Sequence, residues 1–413
     1  MRACFSVLCA LVPAVVEPQG PIDEGLPKPR GVATPAGATR ALPELDREPV
    51  LSVLVAHARA VPIRLDARVA LEIGASKGAI GPGSVTVEAL GTEWRIAGTN
   101  LRGTQGLLRS GGRAVFALDA TPEFGKPRNL RLAGDLVLAI EQGEVQVIER
   151  TPMESYLASV VSAEMNPAWP RAALAAQAIV ARSYAAARWL ERFDQPWQLH
   201  WHFGVDMAYH GWSERDASVA AAIAPTRGEV LMYRGFPILA LFHASSGGRT
   251  EAFERIKPGV LAPDGRTPIA QAMPVVADDA ALLGAAGLAL SNSHGIWKAD
   301  IPLPEVTSAL QKWARAATGR PNIGEIEGVS VDDRHPDSGR VKTVSLRHRL
   351  DGKTRFTTLP ATDFRMAVSP VRIRSLWWER CVIAAQAPGY LVLEGRGFGH
   401  GCGLSQVSAW YLA

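Results

Sequence analysis

The periodicity of the apolar residues changes near residue 150, and this change constrains the fold more than any other feature of the sequence. Between residues 50 and 148, short runs alternate apolar with polar residues and are separated by turn residues such as Gln142 and Gly143, which is the pattern of β-strands. From Thr151 onward, apolar residues instead recur at helical spacing. Strands followed by helices and then by further strands predict an α+β fold.

The strand-rich part, residues 50–148, is predicted to form a small N-terminal β module, and we recognise in it no group of residues suited to catalysis. Its predicted strands are 51–55, 69–73, 85–87, 136–140 and 145–148. The rest, residues 149–413, is predicted to be a catalytic region in which helices pack on antiparallel strands. Beyond its first two helices, it has a predicted helix at about 304–317 and predicted strands at 230–233, 238–242, 341–346 and 390–393.

Two helices open this second region. Thr151 and Glu154 have the spacing of a capping box, and Pro152 is expected at the first helical position. The first helix carries an apolar stripe and is expected to end at residues 166–167, which are Asn-Pro. The second, residues 171–193, is rich in alanine, whose small side chain lets another element approach closely.

The first 16 residues have the composition of a secretory signal peptide. Arg2 is their only charge, and residues 3–16 are almost all apolar. Residues 17–49 are rich in Pro, Gly and Ala and are predicted to be a flexible linker. No later run reaches the roughly 18 apolar residues of a membrane helix. We therefore expect an exported protein of the periplasm or cell wall, with no transmembrane span in the mature chain.

Two cysteines, Cys381 and Cys402, remain after removal of the predicted signal peptide. In an oxidising compartment such a pair can form a disulfide. Two separate buried thiols are the alternative, and the sequence leaves both open.

The charge balance excludes one class of partner. The formal net charge is +4 and is spread along the chain, without a basic run that is interleaved with aromatic residues. Nucleic acid is therefore not expected as a partner. A mild positive balance fits the anionic bacterial wall at least as well.

Glu164 is the first candidate for chemistry. It lies one turn after Val160 and so continues the apolar stripe of the first predicted helix. Burial disfavours the charged form of a carboxyl group and raises its pKa toward neutrality, as a general acid requires. The alternative is a glutamate at a helix end that simply reaches solvent.

Three further segments carry polar residues in unusual settings. Residues 243–251 follow an apolar strand with small polar residues and paired glycines, and residues 395–406 contain a glycine-rich run that does not fit a dinucleotide-binding pattern. The third segment has His200, His202, Asp206 and His210 interleaved with Trp197, Trp201, Tyr209 and Trp212. We interpret this segment as a glycan-facing loop, and zinc binding by the histidines is the alternative.

These segments, in this order, resemble the SpoIID/LytB family of bacterial cell-wall proteins. The resemblance covers about residues 130–412 and depends on three motifs, MESYLASVVSAEMNPAWPRAALAAQAIVARSYA (153–185), LFHASSGGRTE (241–251) and GRGFGHGCGLSQ (395–406). A weaker similarity is the run Ser338-Gly339-Arg340-Val341.

The resemblance implies lytic cleavage of peptidoglycan, with Glu164 as the one acid/base. It would protonate the oxygen between N-acetylmuramic acid and N-acetylglucosamine and then accept a proton from the sugar's 6-hydroxyl, giving a 1,6-anhydro end. The residues that it implies for substrate binding are Arg182, His243, Ser245, Ser246, Gly247, Gly248, His400, Gly401, Ser405 and Gln406.

The family resemblance also implies a second possibility, because some members are amidase enhancers that bind the wall and stimulate another enzyme. The expected partners are therefore peptidoglycan glycan strands and, in that case, an amidase. We expect no cofactor and no metal, since the histidine-containing segment lacks the cysteines of zinc-binding members. Sporulation, division and general wall turnover all remain open as the biological setting.

Overall fold

The computed structural model describes residues 48–413 except 114, 122–126, 215, 288–294 and 385–388. The predicted signal peptide and nearly all of the predicted linker lie outside the described residues. Helices and mostly antiparallel sheets are mixed along the described chain, which confirms the α+β prediction. No helix in the described part of the chain is both long enough and apolar enough to cross a membrane.

The first sheet has seven strands and is built mainly from the N-terminal part of the chain. Gln142 and Gly143 both have positive φ and join the neighbouring strands 135–141 and 144–152, as the sequence predicted. In spatial order its strands are β13 (Leu199–His200), β1 (Val50–Ala58), β12 (Glu144–Pro152), β11 (Asp135–Glu141), β8 (Gln105–Arg109), β3 (Val69–Ile73) and β4 (Ser76–Ile80).

The second sheet has six strands and packs its buried face against the first. Trp94 and Phe116 from this sheet are completely buried. In spatial order its strands are β10 (Arg128–Leu132), β9 (Phe116–Ala120), β2 (Ala60–Leu65), β5 (Gly83–Leu90), β6 (Glu93–Ile96) and β7 (Arg102–Gly103).

Helices α1 (Met153–Glu164) and α2 (Arg171–Glu191) follow directly from β12, as predicted. Helix α3 (Asp216–Ile223) contacts both of them. The predicted capping box is wrong, because Pro152 is the N-cap and makes no side-chain hydrogen bond. The Glu154 amide instead donates to the Glu48 carboxylate at 2.9 Å. The remaining short helices here are the 3₁₀ turn Ala224–Thr226, α4 (Phe253–Ile256), the 3₁₀ turn Ala270–Ala272 and α5 (Asp279–Gly287).

One hydrophobic core joins the two N-terminal sheets to these helices. It contains Leu51 and Val147 from the strands together with Leu157 and Ala181 from the helices. The predicted domain boundary between residues 148 and 149 stays a prediction, and the core extends on both sides of it.

A second hydrophobic core belongs to the C-terminal part of the chain. It lies between two three-stranded sheets and two helices, and its buried side chains include Trp297, Leu310, Phe364 and Trp378. One sheet has the order β17 (Ile296–Pro302), β22 (Tyr390–Arg396), β21 (Trp378–Ala384), and the other has β18 (Glu325–Arg334), β19 (Val341–Leu350), β20 (Lys353–Pro360); the helices are α6 (Leu303–Arg315) and α7 (Ala361–Val368).

Several short strands pack against the first core. The predicted strands at 230–233 and 238–242 are observed only in part, as β14 (Met232–Tyr233), β15 (Phe236–Pro237) and β16 (Phe242–His243). Strand β16 pairs in parallel with β23 (Leu404–Ser405), and helix α8 (Gln406–Leu412) follows at once. Cys381 and Cys402 are both unbonded thiols, so of the two alternatives the disulfide is wrong.

Gly106 in β8 is predicted to tolerate no side chain, because a Cβ there would lie 2.4 Å from the buried ring of Trp94. Gly106→Ala should therefore lower the free energy of unfolding by about 1–3 kcal/mol, the usual cost of overpacking a core. Urea unfolding measures the loss. Gly78→Ala in β4 is the matched control, since a Cβ there meets nothing within 4 Å, and an equal loss in both variants would contradict the packing explanation.

Candidate functional site

Glu164 is the last residue of α1, and its side chain is largely surrounded by protein. Its Oε1 accepts a hydrogen bond from the Ala208 amide at 2.9 Å. Burial raises the pKa of the Glu164 carboxyl to about 7, although the Ala208 hydrogen bond acts in the opposite direction. The residue as a whole is partly exposed. A carboxyl group with this pKa is close to half protonated at neutral pH.

Gln406 ties the end of α1 to the C-terminal motif. Its Nε2 donates to the backbone carbonyl of Glu164 at 3.2 Å. That carbonyl is in the last turn of α1, where a helix leaves carbonyls without an internal partner. The hydrogen bond therefore fixes the backbone from which the Glu164 side chain extends, and it brings two predicted site residues together.

His243 is completely buried beside the glycine-rich segment. It lies on β16 opposite Ser405 of β23, and its Nδ1 is 3.1 Å from the carbonyl oxygen of Cys402. Nδ1 is therefore the protonated nitrogen, and Nε2 is a buried acceptor with no protein partner in the described chain. Burial lowers the pKa of His243 well below 6.5, so the ring is neutral at physiological pH.

His400 lies next to His243, with 5.5 Å between the ring centroids. Its Nδ1 accepts a hydrogen bond from the Cys402 amide at 3.0 Å, and the Phe242 carbonyl accepts from the ring. Burial lowers the pKa of His400 to about 3. Both histidines are therefore neutral side chains that hold β16 against the glycine-rich segment.

The serines and glycines after β16 form a tight backbone crossing with the C-terminal motif. Ser245 exchanges two backbone hydrogen bonds with Phe398, at 3.1 and 2.8 Å. Gly247 has a φ of +75°, and a Cβ there would lie 2.8 Å from the Gly397 nitrogen. A side chain at Gly247 would therefore separate the two segments.

A cluster of hydroxyl groups surrounds Asp278. Ser246 and Ser408 donate to Asp278 Oδ2 at 2.6 and 2.8 Å, and the hydroxyl oxygens of Ser405 and Ser408 are 2.7 Å apart. Ser405 and Asp278 line an open cavity of about 400 Å³ between α2 and α8, whose other walls are mainly alanine and leucine. Glu164 does not line this cavity.

Arg340 reaches this cluster from the start of β19 and is 2% exposed. Its guanidinium donates to the carbonyl oxygens of Ser246, Arg249 and Thr250 at 2.9–3.0 Å. It also packs against Gly401, where a Cβ would lie 2.2 Å from the guanidinium. Sequence reasoning did not select Arg340 as a site residue, and the only signal was its place in the run 338–341.

The neighbours of Arg340 reinforce the same contact. The Ser338 hydroxyl donates to the Glu251 carboxylate at 2.7 Å, and the Glu251 amide donates to the Gly401 carbonyl at 2.8 Å. Arg255 pairs with both Glu251 and Asp337. The turn before β19 therefore fixes the loop after β16 and the glycine-rich segment together.

Arg182 does not lie with the other predicted site residues. Its guanidinium forms a bidentate ion pair with Glu154, with both distances 2.8 Å, and donates to the Glu229 carbonyl at 3.0 Å. Glu154 is ten residues before Glu164 on α1, which is about 15 Å along a helix axis. Arg182 thus stabilises the start of α1.

The histidine-containing segment is held by a buried network around Asp206. Arg188 and Arg192 pair with Asp206, and the His200 amide donates to it at 2.8 Å. Among the described residues, no group of three or more His, Cys, Asp or Glu side chains is arranged to hold a metal ion.

The aromatic residues of that segment are mostly internal. Trp197, Trp201 and Tyr209 are 5% exposed or less, which makes the interpretation of these three rings as sugar-facing wrong. Trp212 is 39% exposed and lines a second cavity, of about 330 Å³, between α1 and α3.

Glu164→Gln should change how the stability of the protein depends on pH. The folded-state pKa of Glu164 is raised, so the neutral form stabilises the fold below the unfolded pKa of about 4.5, and this contribution is lost as the pH rises through about 7. The variant should therefore match the wild type at pH 4 and exceed its free energy of unfolding at pH 8 by about 3 kcal/mol. Urea unfolding at both pH values measures this, and equal stabilities at pH 8 would contradict it.

Arg340→Lys is predicted to loosen the loop after β16. An ammonium group cannot donate to three carbonyl oxygens in the planar geometry of a guanidinium, so the free energy of unfolding should fall by about 2–3 kcal/mol. Amide hydrogen exchange at residues 246–250 should accelerate. Arg255→Lys is the control, because its partly exposed ion pairs should contribute less than about 1 kcal/mol; unchanged exchange in Arg340→Lys would refute the predicted role.

Comparison with known proteins adds an independent finding. Residues 141–233 match the family model described as SpoIID, stage II sporulation protein. The matched residues include α1 with Glu164, α2 with Arg182 and the histidine-containing segment.

Three relatives match over about two thirds of the chain. An uncharacterized protein of Brachyspira hyodysenteriae is 26% identical over 286 residues, which are 68% of this chain and 66% of that protein. The amidase enhancer of Bacillus subtilis is 24% identical over 273 residues, 61% of this chain but only 37% of the enhancer. Stage II sporulation protein D of Bacillus amyloliquefaciens is 25% identical over 289 residues, 64% of this chain and 70% of that protein.

The match thus spans just under two thirds of the length of the first of these relatives and about a third of the second. The resemblance predicted from the three motifs is confirmed: residues 141–233 match the SpoIID family model, and the chain is similar to proteins named stage II sporulation protein D and amidase enhancer.

Proposed function

We propose that the protein is an exported peptidoglycan lytic transglycosylase in which Glu164 is the acid/base. The observation that carries the proposal is the state of this carboxyl group, which is partly exposed and has a pKa of about 7. Here one hydrogen bond, from Ala208, engages Oε1, and no described residue donates to Oε2.

The first step needs the protonated form. Glu164 Oε2–H would donate its proton to the glycosidic oxygen between N-acetylmuramic acid and N-acetylglucosamine as the bond from that oxygen to C1 breaks. A carboxyl group with a pKa near the working pH is suited to this transfer. The bond electrons leave with the oxygen, and positive charge develops at C1 of the muramic acid.

The second step needs the carboxylate. Glu164 would accept the proton of the muramic acid's 6-hydroxyl as that oxygen bonds to C1, which gives a 1,6-anhydro end and returns the carboxyl group to its starting form. The Ala208 amide supports this step, because it stabilises the anion that exists between the two transfers. A second carboxylate is unnecessary, since the substrate supplies the nucleophile.

The remaining parts of the proposal are the predictions made from the sequence. The loop 243–248 and the segment 400–406 would form the wall of the glycan site. Arg182 stays in the proposal only as a residue that orders α1. Residues 1–16 would direct export to the periplasm or wall, residues 17–49 would be a linker, residues 50–148 a β module and residues 149–413 the catalytic region.

A second candidate function is a wall-binding enhancer of an amidase, without glycan cleavage of its own. The name of the Bacillus subtilis relative favours it. In that case the same surfaces would bind glycan strands and an N-acetylmuramoyl-L-alanine amidase, and Glu164 would not transfer protons.

Peptide-free glycan strands incubated with the purified protein should yield 1,6-anhydro ends, measured by mass spectrometry. Glu164→Gln should reduce the rate at least about 1,000-fold while leaving strand binding intact, because it removes the proton but keeps the shape. In the wild type, kcat/KM should fall about tenfold per pH unit above pH 7 as Glu164 loses its proton.

Glu325→Gln, at an exposed position on β18, is the control and should cleave at the wild-type rate. A wild-type protein that binds strands and accelerates an amidase without releasing anhydro ends would support the enhancer instead. Cleavage that stops in chelator and recovers with zinc would revive the metal alternative.

A further inference from the structure

A second buried carboxyl group, Glu149, lies on β12 next to the segment that contacts Glu164. Glu149 is 1% exposed, and its Oε1 accepts hydrogen bonds from the Gly134 and Ala133 amides at 2.8 and 3.1 Å. Its Oε2 accepts from the Tyr209 hydroxyl at 2.8 Å. Because Glu149 is buried and both of its oxygens accept hydrogen bonds, it is placed to hold other groups and not to contact a substrate.

Tyr209 immediately follows Ala208, the residue whose amide donates to Glu164. Its ring stacks on Tyr156 of α1, with centroids 5.0 Å apart, and its own amide donates to the Trp201 carbonyl at 2.9 Å. The Tyr209 ring and the Tyr209 amide are therefore both held in place, one residue after Ala208. If Tyr209 shifted, the adjoining backbone would shift with it, and so would the Ala208 amide that donates to Glu164.

The far side of the same segment is also fixed. The His210 amide donates to the Ser159 hydroxyl at 3.1 Å, and Gly211, with a φ of +71°, packs so closely that a Cβ would lie 2.2 Å from the Arg131 carbonyl oxygen. Arg131 is on β10, and the Ala133–Gly134 turn that Glu149 holds comes directly after that strand. Glu149 therefore fixes both the segment 208–211 and the turn beside it.

We propose that Glu149 and Tyr209 form a positioning pair that holds the Ala208 amide against the Glu164 carboxyl group. The inference deepens the proposed function and rests on it, since it assigns to Glu149 a role in the same reaction without contact with the glycan. Without the pair, Ala208 would move away and Glu164 would lose the donor that stabilises its anion.

A change in the pKa of Glu164 can be interpreted only if the titratable groups around it are known. Tyr156, on the same helix, is electrostatically coupled to Glu164, and burial raises the pKa of both Tyr156 and Tyr209 well above 10, so both stay neutral. Asp206, on the neighbouring loop, faces Tyr156, and Arg192 and Arg188 keep its pKa low. Of the two tyrosines, Asp206 and the two glutamates, only Glu164 and Glu149 have a pKa between 5 and 9.

The test is the pKa of Glu164, measured by NMR on protein with ¹³C-labelled glutamate carboxyl groups and assigned with Glu164→Gln. Tyr209→Phe removes one hydroxyl and keeps the stacked ring, so the pKa should rise by about one pH unit as the donor to the carboxylate is lost. Glu149→Ala should give the same rise. Glu149→Gln should restore most of the wild-type value, because its amide can donate to the Tyr209 hydroxyl.

Tyr184→Phe is the matched control, since it also removes a hydroxyl that donates to a buried carboxylate, Asp206, at 2.9 Å. It should leave the pKa of Glu164 unchanged. If Tyr209→Phe and Glu149→Ala do not fold, Ser159→Ala removes the anchor on the other side and should give a rise of its own. An unchanged or lower pKa of Glu164 in folded variants would overturn the proposal.

The NMR readout does not need catalysis, so it separates this inference from the proposed function. If the protein cleaves glycan, the alkaline fall of kcat/KM should move upward in Tyr209→Phe by the same interval as the pKa. If it cleaves none, the proposed function fails, and the pKa of Glu164 still decides whether Glu149 and Tyr209 position the Ala208 amide.

Discussion

The guanidinium of Arg340 donates hydrogen bonds to three backbone carbonyls, and the geometry of the candidate site depends on this contact. Those carbonyls belong to the loop after β16, while the same guanidinium packs on Gly401 of the glycine-rich segment. Burial of a cation is unfavourable unless its donors are satisfied, and it lowers the pKa of Arg340 to about 10. A loop that moved away would leave a buried charge unpaired, so the loop and the second core are ordered together.

The first core supplies the other half of the site through α1. The apolar face of α1 is buried between the sheets and α2, and this fixes the helix end that bears Glu164. Gln406 then joins that helix end to the C-terminal motif with one hydrogen bond. Parts of the chain that are 242 positions apart therefore meet at Glu164, and neither core alone holds all of the residues that the three motifs contribute.

The sequence predicted those features that depend on neighbouring residues. The hydrophobic periodicity predicted α1, α2 and several strands, including β1, β12 and β19 but not β18, and the apolar stripe that ends at Glu164 predicted its burial. Features that depend on distant contacts were missed or wrong: Glu154 pairs with Arg182 instead of capping α1, the aromatic residues near His200 pack inward, and Arg340 acts on carbonyls about 90 residues away. No local pattern encodes such pairings, because their partners are chosen by packing of the two cores.

Glu149 and Glu164 both have a pKa of about 7, so the pKa alone does not tell which carboxyl group could exchange a proton with a substrate. Desolvation raises both values, but Glu149 has three donors on its two oxygens, whereas one donor reaches Glu164. A perturbed pKa alone would rank the two residues equally as candidates for acid/base chemistry. Partial exposure and a single hydrogen bond favour Glu164, because a substrate must be able to approach the oxygen with which it exchanges a proton. Glu149 is 1% exposed and hydrogen-bonded on both oxygens, so in the proposed reaction its effect would pass through the groups that it holds.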